Sequence, residues 1–143
     1  MLFRSKFINT AITNVIDRTH KNYFGDKISA AVLTYCLIQY SKEKNTNIFN
    51  NSIMSAINDK DNIVSQSAMA SALYADYRPI VSSILPKITI KDARFIPALA
   101  YSAYLHDNVE AKDLFNQFET KGNKEIKKAT TNWREIIFEW KKT

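Results

Sequence analysis

NKEIKKATTNWREIIFEWKKT, residues 123–143, is the stretch that decides the fold. Ile126, Ala129, Trp133, Ile137 and Trp140 follow one another at spacings of three, four, four and three. An α-helix returns to the same face at those steps, whereas a strand would need strict alternation. Gly122 stands immediately before the pattern and is expected to end the preceding helix in a left-handed conformation.

Working backwards, the same periodicity recurs. Ala111, Leu114, Phe115 and Phe118 form a stripe opened by Asn108 as a cap, and Phe95, Leu99, Ala100, Ala103 and Tyr104 form another, in which Pro97 marks either a kink or the true first turn. Asp61 or Asn62 caps a helix through Ile63, Val64, Ala68, Leu73, Tyr74 and Tyr77, Pro79 opens a short helix and Pro86 closes it. A short helix from Asn47 carries Ile48, Phe49, Ile53 and Ile57. The run through Ala31, Leu33, Tyr35, Leu37 and Tyr40 is apolar on nearly every side, which predicts a helix at the centre of the fold. Phe7, Ile8, Ala11, Ile12, Val15 and Ile16 predict an amphipathic helix over residues 2–19.

With only 2 glycines and 3 prolines in 143 residues, the chain has little material for the turns of a sheet-rich fold. The expectation is an all-α fold: an irregular bundle of about seven helices arranged as helical hairpins, forming one domain over residues 1–143. Residues 98–122 look like one tetratricopeptide or pentatricopeptide hairpin at Ala111, Leu114, Phe115 and Gly122, but no fixed period extends it.

The chain carries 20 basic and 14 acidic residues, a net charge of +6. The excess lies at the ends: residues 1–27 hold five basic and two acidic groups, and residues 121–143 hold seven and three. One cysteine, Cys36, excludes an intramolecular disulfide and is expected in the core. No apolar run is long enough to span a membrane, and the N-terminus lacks an apolar signal core, so a cytoplasmic protein is expected.

Few residues carry chemistry. Leu105-His106-Asp107 resembles the paired His-Asp of the all-helical HD phosphohydrolases, which hold metal ions that activate water. That pattern needs an earlier histidine one hairpin upstream and a later aspartate, whereas the only other histidine is His20 and the only later aspartate is Asp113. The pair is therefore read as a helix end followed by a cap. Ser41 and Lys44 have the Ser-x-x-Lys spacing of penicillin-recognising enzymes, without the partner motifs. Glycine-built phosphate loops and Cys-x-x-Cys pairs are absent from the sequence. Catalytic residues, cofactors and metal ligands are therefore not expected.

In the last helix Lys127, Arg134 and Lys141 recur every seven residues and, with Lys124 and Lys128, form a basic stripe beside Trp133 and Trp140. These seven residues are the expected partner-binding set. Lysines would steer an acidic protein surface and aromatic rings would hold it. A composition rich in Asn, Ile and Lys suits a bacterial or phage chain. The reading is a non-enzymatic immunity-type or antitoxin-like inhibitor that covers the active surface of a toxin. The alternative is a nucleic-acid-binding protein using basic N- and C-terminal helices.

Overall fold

A computed structural model describes the backbone of residues 26–142 and the side chains of residues 32–142. The helix expected over residues 2–19, with its share of the basic charge, lies outside the described residues. Within them the protein is an all-α bundle of seven α-helices: α1 (Asp26–Lys44), α2 (Asn50–Ile57), α3 (Asn62–Ala75), α4 (Arg78–Ile84), α5 (Ile96–Leu105), α6 (Val109–Lys121) and α7 (Lys124–Lys142). Two 3₁₀ turns, Leu85–Lys87 and Ala93–Phe95, connect α4 to α5. The chain divides into two compact units between Ile80 and Val81.

In the first unit α1 packs along α3, and α2 packs against both. Leu37 and Ile38 from α1, Ile53 and Ile57 from α2, and Val64 and Leu73 from α3 are fully buried. Each such side chain contributes roughly 1.5–3 kcal/mol by leaving water. Asp61 caps α3, its carboxylate accepting from the amides of Ile63 at 2.9 Å and Val64 at 3.3 Å. The helix ends at Ala75, where Asp76 turns left-handed at φ 53°, so Tyr77, expected within the helix, lies beyond its end.

Two sequence expectations change here. α1 is not enclosed: Val32 and Tyr35 are 54% and 41% exposed, and the burial falls on Leu33, Thr34, Leu37, Ile38 and Ser41. Its uniform apolarity concealed which side the neighbouring helices cover. The short helix starts at Asn50 rather than Asn47, because Asn47 to Phe49 form a turn closed by the Asn50 amide donating to the Asn47 carbonyl.

In the second unit α5, α6 and α7 pack against one another. Pro97 lies in the first turn of α5, where its missing N–H removes no helical bond. Asn108 caps α6, its side chain accepting from the Ala111 amide at 3.2 Å. Asn123 does the same for α7, accepting from the Ile126 amide at 2.9 Å. Leu99, Phe115, Phe118 and Ile137 fill the interior.

Gly122 corrects a third expectation. Its φ of −68° and ψ of 164° are extended, not left-handed. Glycine is required for space: a Cβ there would lie 2.4 Å from the Phe118 carbonyl oxygen and 2.5 Å from Ile126 Cγ2. The chain turns from α6 into α7 so closely that a side chain has no room.

Candidate protein-binding helix

The residues expected to bind a partner lie on α7, whose inward seam is Ile126, Thr130 and Ile137. The Thr130 hydroxyl is satisfied by the Ile126 carbonyl at 2.6 Å, which permits a polar residue on that seam. Successive helical residues are about 100° apart around the axis. Arg134 follows Trp133 by one position, and Lys141 follows Trp140 by one. The tryptophans and the row of Lys127, Arg134 and Lys141 therefore occupy opposite flanks of the buried seam rather than one mixed face.

The basic flank meets α6. The Arg134 guanidinium pairs with Glu119 at 2.9 Å and donates to Asn116 Oδ1 at 3.0 Å. It also stands 5.7 Å from the centre of the Phe115 ring. Arg134 thus fastens α7 to α6 and leaves the exposed stripe. Nearby, Tyr104 of α5 meets Phe115 and Phe138 edge-on, at 5.5 and 5.3 Å between ring centres, while the Lys112 ammonium lies 5.2 Å from the Tyr104 ring. These contacts set the rotation of α7 about its axis. Lys124, Lys127, Lys128 and Lys141 remain exposed and are joined by Lys142.

On the other flank Trp133 and Trp140 meet edge-on, 6.3 Å between ring centres and 82° between planes. Trp133 is half-buried, whereas Trp140 is 50% exposed. Ile136 lies between them along the helix and is also exposed. Trp133, Ile136 and Trp140 therefore form an apolar row at spacings of three and four that α5 and α6 do not fully cover. Sequence reasoning found the tryptophans and placed Ile137 on the inward stripe, where the structure buries it, but did not include Ile136 in the exposed row.

His106 and Asp107 stand at a helix junction. His106 follows the last turn of α5, its amide donating to the Tyr101 carbonyl at 3.3 Å and its ring 5.3 Å from that of Tyr101. Asp107 takes a left-handed conformation at φ 52°, which swings the chain into the Asn108 cap. Among the described residues no three His, Cys, Asp or Glu side chains gather in a metal-holding group. Ser41 is buried, with its hydroxyl donating to the Leu37 carbonyl at 2.8 Å. Cys36 is half-buried rather than fully enclosed. Among the described residues no helix is long and apolar enough to cross a membrane.

Comparisons with protein-family models, with curated proteins and with solved structures find no match to this chain.

Proposed function

We propose that this chain is a non-enzymatic protein-binding domain that covers an acidic contact surface of another protein with α7. The observation that carries this reading is the Trp133–Ile136–Trp140 row, two indoles and an isoleucine on a helix whose position is fixed by the Arg134 and Tyr104 contacts. Rigid aromatic side chains that remain accessible supply large contact area at low entropic cost, and tryptophan dominates many interface hot spots. Lys124, Lys127, Lys128 and Lys141 lie on other faces of the same helix rather than around the row, and their positive charge steers an acidic partner towards α7. In its specific form the proposal is an immunity-type inhibitor of a bacterial or phage toxin, acting in the cytoplasm, with a composition rich in Asn, Ile and Lys as its support.

The test replaces Trp140 with a photoreactive phenylalanine analogue in the full chain, expressed in the source cells. Gln117, exposed on α6, carries the same probe as a control. Irradiation is expected to attach one protein at position 140, through a surface rich in Asp and Glu, and not at position 117. The charge reversal K127E/K128E/K141E should weaken that adduct at equal expression. An adduct with RNA or DNA, equal labelling at both positions, or labelling indifferent to charge reversal overturns the proposal.

A further inference from the structure

Well away from α7 in the sequence, the first unit carries an open cleft of about 740 Å³. The end of α1, the start of α2, the end of α3 and the start of α4 all reach it. That volume lies within the range of small-molecule sites, about 300–1,000 Å³. Its charge is uneven: two cations, Lys42 and Arg78, face one carboxylate, Asp76. Arg78 Nε meets Asp76 Oδ1 at 2.7 Å, so those two charges compensate each other. Lys42 has a different partner. Its ammonium donates to the Ala75 carbonyl at 2.6 Å, which anchors the side chain without neutralising it. An ammonium has three donors, so two remain for another acceptor.

A second donor is oriented in the same cleft. The Tyr77 hydroxyl, on a residue only 6% exposed, donates to Asn50 Oδ1 at 2.5 Å. With Oδ1 facing the tyrosine, the Asn50 NH₂ group is left to donate elsewhere. Asn45 and Asn47 add further amides to the wall. The cleft therefore presents one uncompensated positive charge and fixed donors, with its one carboxylate already paired.

We propose that this cleft binds a small phosphorylated molecule, with the phosphate group held by the Lys42 ammonium and the Asn50 amide. Lysine acts on phosphate as a point charge, and hydrogen bonds to an ionised group are the stronger kind. The cleft is larger than a bare phosphate requires, so a polar organic group such as a sugar occupies the remainder against Asn45 and Asn47.

The experiment titrates the ¹⁵N-labelled full chain with ribose 5-phosphate, inorganic phosphate and ribose at constant ionic strength, reading amide resonances by NMR. Saturable shifts at Lys42, Asn50 and Tyr77 are expected with ribose 5-phosphate. Inorganic phosphate should move the same resonances with lower affinity, and ribose alone should not saturate them. Lys42→Met should weaken binding about tenfold or more, the loss expected for a charge-assisted contact. Lys42→Arg should restore most of the binding. Tyr77→Phe keeps the ring but frees the Asn50 amide, and should weaken binding without shifting distant resonances. Failure of ribose 5-phosphate to saturate, tighter binding of inorganic phosphate than of ribose 5-phosphate, or unchanged affinity in a folded Lys42→Met variant overturns the proposal.

Discussion

Gly122 separates two explanations for a glycine at a helix end, and substitution there distinguishes them quantitatively. If the residue were left-handed, asparagine would be tolerated better than alanine, because asparagine adopts that conformation more readily. The observed φ of −68° is open to any residue, and the obstacle is the Phe118 carbonyl 2.4 Å from where a Cβ would sit. Inserting a methyl group into such a site costs about 1–3 kcal/mol. Replacing glycine returns about 0.4–1 kcal/mol by restricting the unfolded chain. Gly122→Ala should therefore destabilise by roughly 1.3 kcal/mol, the difference between the mid-values of those two effects. Gly122→Asn should cost at least as much, because it adds atoms to the same space. Urea unfolding of the parent and both variants, followed by circular dichroism, measures the difference at unchanged m-value. The second close atom belongs to Ile126, so Ile126→Ala combined with Gly122→Ala should cost less than the two single changes summed. An alanine variant as stable as the parent, or an asparagine variant more stable than the alanine one, would refute the close-approach explanation.

The two arms of the basic row should behave differently. Arg134→Met removes an ion pair with Glu119 and a bond to Asn116, and should cost about 1 kcal/mol in thermal or urea unfolding. Lys127→Met, at an exposed position, should stay within about 0.5 kcal/mol of the parent. The adjacent isoleucines give a similar contrast. Ile137→Ala empties a fully buried site and should cost about 2–5 kcal/mol, whereas Ile136→Ala, on the exposed row, should cost under about 1 kcal/mol while weakening partner capture.

Of the seven residues expected to meet a partner, the structure leaves Lys124, Lys127, Lys128, Trp140 and Lys141 exposed, half-buries Trp133 and ties Arg134 to α6. The heptad spacing placed Lys127, Arg134 and Lys141 on one row correctly, but spacing alone does not say whether a row faces water or a neighbouring helix. The cleft in the first unit was not recognised from the sequence. Lys42 lies 33 residues from the carbonyl it grips, and Tyr77 lies 27 residues from Asn50. Pairs at such distances leave no periodic trace.

What the sequence determined by itself was local. The i+3 and i+4 stripes located the helices, Asn108 marked one start, Asp61 or Asn62 another, Pro97 a kink or first turn, and the scarcity of glycine and proline favoured helices over sheet. Each of those effects acts within about one helical turn, through backbone bonds that neighbouring residues satisfy or deny. Tertiary structure alone decided which side of α1 stays open, that Arg134 is tied to α6, and where four helix ends leave a cleft. Those outcomes depend on contacts between segments distant in sequence. A helix with apolar residues on several sides is compatible with more than one packed orientation until its neighbours are in place.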